Sequence, residues 1–297
     1  MGKSGPSRPY KDVFDMYREA LYNLRRLAAL LRTRVATGDL GLLASRIDRG
    51  TSFNPVWANI VAVLSELADL GEGDAAAQAS KLYAYLSRLL EHSLNYIVDL
   101  CSSRLRSHRR TRAAVMGYSE AIARCIASAK RGLAKVNVLE ARPDGDGLVM
   151  LREISSRGIE SILVPDYAVQ QVVEESDVVI VTLDAVTYDG VSIVRMGVKP
   201  LLLAAAERSI EAIGLTHSAA FSAALSSEDY IPGTSARVYV NDIRDYVSRA
   251  LYDKVPLDLV SVIIYDKGVK NSSALNVEEE SLEFMQAAIE NVAGEEL

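Results

Sequence analysis

Residues 178–186, Val178-Val179-Ile180-Val181-Thr182-Leu183-Asp184-Ala185-Val186, combine an unbroken apolar run with an acidic residue just after it. A short, β-branched apolar run of this kind is typical of a strand that is buried on both faces. Helical segments separate it from similar runs, and strands that alternate with helices form parallel sheets covered on both faces. The sequence therefore predicts a doubly wound α/β domain. The other predicted strands are at 136–139, 162–164, 213–215, 238–240 and 260–265.

The first half of the chain has a helical period. From Lys11 to about Ser103, apolar residues recur every three or four positions, which is the pattern of an amphipathic helix. Three helices are predicted, one from Lys11, one over 55–70 and one over 74–101.

The last residues, from Asn276, predict a further amphipathic helix. This helix either packs on its own domain or forms a subunit interface. We expect an α/β protein with four parts: a flexible tail at 1–10, a helical domain at 11–113, an α/β domain at 114–275 and the C-terminal helix at 276–297.

Composition excludes several classes of function. The chain has 297 residues, of which 49% are hydrophobic, and no apolar run approaches the length of about 18 that indicates a membrane span. The first ten residues lack the apolar segment of a secretory signal, so we expect a cytoplasmic protein. A net charge of −6 disfavours nonspecific binding to nucleic acid or to anionic lipid.

Cysteine and histidine are too sparse for a metal site. The two cysteines, Cys101 and Cys125, and the three histidines, at positions 92, 108 and 217, do not have the spacing of a zinc site or of a disulfide framework. We expect both cysteines to be reduced and buried, and we expect no metal and no cofactor.

A cluster of arginines stands out in this acidic chain. Two alternatives are open for it: a solvated helix end or interdomain segment, or a contact with an anion or with RNA. The arginines of this cluster are Arg104, Arg106, Arg109, Arg110 and Arg112.

Polar residues follow three of the predicted strands, where parallel sheets bind their ligands. They are Glu140 and Arg142, then Asp166, then Asp184. The guanidinium of Arg142 suits a phosphate, so a phosphorylated small molecule is the expected ligand class. A structural explanation is also open, in which Glu140 pairs with Arg142, Asp166 caps a helix, and 144–147 is only a turn.

Other common sites are missing from the sequence. Neither a Gly-x-Gly-x-x-Gly loop after the first predicted strand nor a Walker A loop occurs, which argues against a dehydrogenase or an ATPase. Thr216-His217-Ser218 offers a base beside a hydroxyl, but neighbouring residues of an extended strand point to opposite sides.

Several motifs occur in a fixed order over the last two thirds of the chain. In this order they resemble the family that includes ribose-1,5-bisphosphate isomerase, methylthioribose-1-phosphate isomerase and the alpha, beta and delta subunits of the eukaryotic initiation exchange factor. The resemblance implies a Rossmann-like domain, a sugar-phosphate pocket and association through the α/β domain. The motifs are Glu140-x-Arg142-Pro143-x-x-x-Gly147, Gly158-Ile159, Pro165-Asp166-x-Ala168-Val169, Thr182-Leu183-Asp184-Ala185-Val186, Asp189-Gly190, Tyr252-Asp253, Pro256 and Gly268, with a weaker match at Thr51-Ser52 and Asn59.

Three positions depart from the isomerases of this family. Gly117 aligns with a cysteine that is thought to act as acid/base opposite the aspartate at 184, while Val194 and Ala220 align with an asparagine and a lysine. Loss of one acid/base group typically lowers a rate by roughly 100- to 10,000-fold, so the loss of several predicts a noncatalytic protein. If the chain is active, Asp184 is its candidate catalytic group. The candidate ligand-binding residues are Glu140, Arg142, Gly147, Asp166, Asp184, Arg195 and His217.

Met116-Gly117-Tyr118-Ser119 resembles a segment of the exchange-factor regulatory subunits, the beta type in particular. The resemblance implies a noncatalytic regulatory or scaffold protein that forms a homodimer or a higher oligomer, with an initiation factor or a phosphorylated metabolite or nucleotide as its candidate partner. Two alternatives stay open. One is a sugar-phosphate (aldose–ketose) isomerase with a rebuilt site, in which Asp184 acts with Arg195 or His217, and the other is an RNA-associated protein that uses the arginine cluster.

Overall fold

A computed structural model describes residues 10–32, 54–69, 74–107, 110–142, 144–230, 236–240, 243–247 and 251–294. Its architecture is α/β, with helices at the N-terminus, a mostly parallel sheet and a helix at the C-terminus, which confirms the predicted fold class. Several residues of the sequence predictions lie outside the described part. They are residues 1–9 of the tail, the weak match at Thr51-Ser52, and His108, Arg109 and Pro143.

Three helices are described in the first half: α1, Val13–Arg32; α2, Pro55–Asp69; and α3, Ala75–Ser107. Each buries one apolar stripe, as the period predicts, and Tyr17 of α1 and Leu86 of α3 are fully buried. Helix α3 continues past its predicted end at Cys101. Arg104 and Arg106 lie in its last turn, where cations interact favourably with the helix dipole.

The main sheet has seven strands in the order β13-β12-β7-β4-β1-β2-β3. All neighbouring pairs are parallel except β12 with β13, which is antiparallel. The strands are β1, Thr111–Met116; β2, Leu133–Leu139; β3, Ser161–Val164; β4, Val178–Thr182; β7, Glu211–Leu215; β12, Val262–Tyr265; and β13, Gly268–Asn271.

Strand β1 lies at the centre of the sheet, between β4 and β2, yet the sequence predicts no strand before position 136. It escapes prediction because the run begins with Thr111 and Arg112, and its apolar part is short. The side chain of Arg112 lies at the end of the sheet, where it pairs with Asp177. Two polar residues at the start of a strand with a short apolar part are therefore enough to hide a central strand.

Helices cover both faces of the sheet. The helices α4, Glu120–Ser128, and α5, Gly147–Ser156, lie on the same face as α1, α2 and α3, and all five share one hydrophobic cluster with that face. The helices α6, Val169–Glu174, and α7, Val198–Glu207, cover the other face. Helices and strands from both sides of position 113/114 share the first of these clusters. The division of the chain at 113/114 into a helical and an α/β domain stays a prediction.

A second, four-stranded sheet has the order β11-β6-β5-β8, and a separate hairpin joins β9 to β10. The strand predicted at 238–240 for the parallel sheet is β9 of this antiparallel hairpin, so that part of the prediction was wrong. A short apolar run indicates a strand but not the partner with which it pairs. The strands are β5, Ala185–Thr187; β6, Val191–Arg195; β8, Phe221–Ser222; β9, Ala236–Val240; β10, Ile243–Val247; and β11, Tyr252–Pro256.

The C-terminal helix α8, Val277–Ala293, packs on its own chain, which is the first of the two alternatives. Phe284 and Ala288 enter the cluster shared with α1, α2 and α3. Glu280 in its first turn is buried and accepts hydrogen bonds from the hydroxyl of Tyr265 and the ammonium group of Lys270. These contacts fix the start of α8 against the sheet.

Cys101 of α3 and Cys125 of α4 form a disulfide, with their Cα atoms 5.8 Å apart. The expectation that both are reduced was wrong, while the expectation that both are buried is confirmed. Two cysteines that are 24 positions apart reveal no pairing in the sequence, because only the packing of α4 on α3 brings them together.

The sequence predicts no membrane-spanning segment. Among the described helices, none is both long enough and apolar enough to cross a membrane.

Candidate functional site

The strand order of the main sheet reverses between β1 and β4, because β2 and β3 follow on one side and β7 and β12 on the other. In open α/β sheets, ligands bind at this point, beyond the carboxyl ends of the strands. Gly117 directly follows β1, and Asp184 lies shortly after β4. We call the space between these ends the crevice.

Asp184 is fully buried in the crevice, and the beginning of the chain uses both of its oxygens. The hydroxyl of Tyr10 donates to Oδ2 at 2.7 Å, and the backbone N–H of Val13 donates to Oδ1 at 3.1 Å. Burial raises the pKa of Asp184 well above its usual range, and the hydrogen bond from Tyr10 opposes this shift. Asp184 therefore anchors the start of α1.

Arg195, at the end of β6, is the buried cation of the crevice. Its Nη1 donates to Asp146 Oδ2 at 2.8 Å, and its Nη2 lies 3.4 Å from Asp144 Oδ2. The guanidinium carbon lies 4.3 Å from the centre of the Tyr10 ring, within the range of a cation–π interaction. Tyr10 thus contacts both Asp184 and Arg195, and it joins two of the predicted site residues.

Gly117 provides the space that Arg195 occupies. A Cβ atom built on Gly117 would lie 2.5 Å from Arg195 Nη1 and 2.7 Å from Asp146 Oδ1. Its φ of +65° also lies in the left-handed region, which side chains disfavour. Any side chain at position 117, a cysteine included, would overlap the Arg195–Asp146 ion pair.

Glu140, Arg142 and Asp166 form a separate group of contacts. Asp166 accepts from the backbone N–H groups of Ala141, at 2.8 Å, and of Arg142, at 2.6 Å, so it holds a loop where the structural alternative expected a helix cap. The Arg142 guanidinium pairs with Glu140 at 2.9 Å, as that alternative predicted, and its side chain is 67% exposed. Exposed pairs of this kind contribute little to stability.

Gly147 has a packing explanation. It begins α5, and a Cβ atom on it would lie 2.3 Å from the carbonyl oxygen of Leu139. This glycine allows the helix to approach the end of β2 closely. The loop between β2 and α5 reaches the crevice through Asp144 and Asp146, both of which bond to Arg195.

His217 lies among buried side chains of the helical half. Its Nδ1 accepts from the N–H of Ala219 at 3.0 Å, so in the neutral ring Nε2 carries the proton and faces Ser93 Oγ at 3.0 Å. Burial lowers the pKa of His217 and favours this neutral form.

Ser93, His217 and Asp266 have the composition of a nucleophilic triad, but their hydrogen bonds run the opposite way. A catalytic histidine donates from Nδ1 to the carboxylate, whereas here Nδ1 accepts from the backbone and Asp266 accepts from Ser218. Ser93 donates to the carbonyl of Leu89 at 2.6 Å. The arrangement ties α3 to the loop after β7.

The two remaining departures from the isomerases are buried apolar positions. Val194 lies in the cluster under α7, and Ala220 lies in the cluster shared with α1, α2 and α3. Next to Ala220, the amide of Asn59 donates to the carbonyls of Ala219 and Phe221. These contacts are structural, and they join α2 to the same loop that carries His217.

Of the described arginines of the cluster, Arg104 and Arg112 lie at the opposite end of the sheet, and Arg104 lines a cavity of about 620 Å³ there. Arg104 forms an ion pair with Glu211, Arg112 forms one with Asp177, and Arg106 donates to the carbonyl of Ser128. Because two of these cations have acidic partners within the chain, the contacts favour the first alternative, a structural segment. They do not favour an RNA contact.

Tyr10 is the main residue that the sequence analysis missed. The sequence places it in the tail, yet it is only 4% exposed and lies against Arg195. Its contact with Asp184 spans 174 positions, so no local pattern reveals it. Asp144 and Asp146 were missed because they read as an ordinary turn.

The fold and the crevice define an α/β protein of the doubly wound class whose switch-point crevice is filled by its own side chains. A model of the Initiation factor 2 subunit family (IF-2B) matches residues 17–272. The chain therefore belongs to this family, which confirms the resemblance inferred from the motifs.

Three solved structures are similar to this chain. The Pyrococcus horikoshii OT3 translation initiation factor eIF-2B is 19% identical, with 89% of this chain and 97% of that chain covered and a TM-score of 0.66. The tetrameric eIF2B-beta2-delta2 complex from C. thermophilum is 16% identical, with 91% and 92% covered and a TM-score of 0.68. eIF2B beta from Chaetomium thermophilum is 15% identical, with 92% of each chain covered and a TM-score of 0.62. At these identities the likeness shows a common fold.

Proposed function

We propose that this chain is a noncatalytic, regulatory-subunit-like member of its family, similar to the beta type. The observation that carries the proposal is the occupation of the crevice: Tyr10 and Val13 bond to both oxygens of Asp184, and Arg195 fills the space beside Gly117. An acid/base carboxylate must reach a proton of its substrate. In this conformation Asp184 reaches the beginning of its own chain instead.

The charges of the crevice also argue against a sugar-phosphate or nucleotide pocket. Among the described residues, the crevice contains the carboxyls of Asp144, Asp146 and Asp184, and its cation, Arg195, already bonds to the first two. A phosphate here would lie beside two carboxylates whose cation is already paired, and charges of like sign repel strongly at low dielectric. We therefore propose that the motif residues of the family have a structural role in this chain.

Assembly is the second part of the proposal. The similar structures include a tetrameric complex of beta and delta subunits, and we propose that this chain also associates through its α/β domain. An initiation factor is its candidate partner, and a cytoplasmic location fits this role. Light scattering of the full chain is expected to give at least twice its mass of 32.3 kDa, and a monomer at all micromolar concentrations would refute the association.

Turnover of ribose 1,5-bisphosphate tests the noncatalytic role. We expect the full chain to produce no ketose above the uncatalysed rate, because Asp184, its candidate acid/base group, is buried against Tyr10 and Val13. Asp184→Asn is the decisive variant, since it keeps the shape of the side chain and removes its charge. Turnover by the natural chain that this variant abolishes, at an unchanged melting temperature, would overturn the proposal.

A further inference from the structure

The segment that fills the crevice is short: within the described part of the chain it consists of residues 10–12, directly before α1. We propose that residues 10–12, here called the strap, close the crevice as a releasable occupant, so that any ligand reaches Asp184 and Arg195 only after the strap leaves. This inference deepens the proposed function and rests on it. The crevice then binds an aromatic ring that carries a hydroxyl group. In the closed state this ring is the phenol of Tyr10.

Each residue of the strap has a defined contact. Tyr10 donates to Asp184, and its ring lies 5.6 Å from the ring of Tyr252. The carbonyl of Lys11 accepts from the hydroxyl of Tyr252 at 3.1 Å. Asp12 Oδ1 accepts from the N–H groups of Phe14 and Asp15, which caps the beginning of α1. These polar contacts order the strap, and a displacement of residues 10–12 as a unit would break them together.

The packing of the strap is separate from the main cores. Tyr10 belongs to a small cluster with Met16, Ile193 and Tyr252, whereas Val13 and Phe14 belong to the large cluster of the helical half. Segments with few links to a large core open locally at a lower cost than global unfolding. Opening is thus expected to stop at Val13, which makes the residues just before α1 the hinge.

The electrostatics of the closed state also favour release. Asp12 is buried close to Asp184, and burial, followed by the charges of Asp184 and Asp12, raises the pKa of the Tyr10 hydroxyl. Burial, and then repulsion by Asp15, raises the pKa of Asp12 to about 6. In the closed state, burial therefore disfavours the charged forms of Asp12 and Asp184. Contact with solvent after opening would remove this penalty.

The open crevice has a distinct chemistry. It presents the carboxyl of Asp184 and the hydroxyl of Thr182 on one side, and the flat guanidinium of Arg195 on the other, as they now surround Tyr10. A carboxyl accepts a hydroxyl proton, and a guanidinium attracts the face of an aromatic ring. A small phenol is therefore the ligand class that the crevice fits best.

Chemical complementation tests this assignment. In Tyr10→Ala, p-cresol is expected to raise the melting temperature, because it replaces the missing side chain and binds only the folded state. Toluene lacks the hydroxyl and is expected to have a smaller effect. Tyr22→Ala is the matched control, since Tyr22 is 62% exposed on α1. An equal response of the natural chain, Tyr10→Ala and Tyr22→Ala to p-cresol would overturn the inference.

A second variant covers the case in which Tyr10→Ala does not fold. Tyr10→Phe keeps the ring and removes the hydrogen bonds of the hydroxyl to Asp184 and Thr182. Hydrogen exchange at residues 13–16 is therefore expected to accelerate by roughly 10- to 100-fold. Exchange in residues 86–98 of α3 should stay unchanged. Uniform acceleration, or none, would refute a locally releasable strap. Isomerase turnover by the natural chain would refute the proposed function without changing these exchange rates, so the two failures are distinguishable.

Discussion

Gly117→Ala is expected to lower the free energy of unfolding by about 2 to 6 kcal/mol. The left-handed backbone of this residue costs roughly 1 to 3 kcal/mol for a side chain. The new Cβ atom must also displace the buried Arg195–Asp146 ion pair, and overpacking of this kind costs about 1 to 3 kcal/mol. Equilibrium unfolding in denaturant measures the change. Gly117→Cys, which restores the residue type of the isomerases, should be at least as unstable and should gain no activity.

Gly190→Ala separates the two contributions. Gly190 has a φ of +72°, close to that of Gly117, but nothing lies within 4 Å of a Cβ atom built on it. Its substitution therefore reports the backbone strain alone, and we expect a loss of about 1 kcal/mol. Equal losses at the two glycines would mean that Arg195 does not occupy the space at position 117.

Removal of the Cys101–Cys125 disulfide is expected to lower the free energy of unfolding by about 3 kcal/mol. The bridge closes a loop of 24 positions, and cross-links of this size restrict the unfolded chain by roughly that amount. It also joins α3 to α4, which lie on different sides of the boundary predicted at 113/114. Unfolding of Cys101→Ala/Cys125→Ala, compared with the natural chain, measures the effect.

Reductant provides the control for this prediction. It should destabilise the natural chain and leave the double variant unchanged, since no other cysteines are present. Thiol labelling of the unfolded, unreduced chain gives an independent result. Two free thiols per chain under those conditions would show that the bridge is absent.

The sequence predicts those parts of the fold that depend on local patterns. The apolar run at Val178–Thr182 and the helical stripe of α1 have the expected structures, because their periods follow from which faces are buried. Strand β1 was missed because it begins with Thr111 and Arg112, which leave only a short apolar run. The pairing of β9 depends on its partner strand, which the residues of β9 do not specify.

The roles of the site residues depend on contacts between distant parts of the chain. The motif locates Asp184 after its strand, but the role of this residue depends on Tyr10, which is 174 positions away. The absence of a cysteine at position 117 is visible in the sequence, whereas its physical reason, the guanidinium of Arg195, requires the folded chain. The residue types of a motif thus indicate where the site of the family lies, and long-range contacts determine which groups occupy it.

We propose that the crevice is closed by the chain's own residues and carries out no isomerisation. Proton NMR of ribose 1,5-bisphosphate incubated with the 297-residue chain in D₂O tests this proposal. We expect neither ketose formation nor exchange of the sugar C–H protons above the rate without protein. Ketose formation that proceeds with the natural chain and falls by roughly 100-fold or more in folded Asp184→Asn would contradict the account.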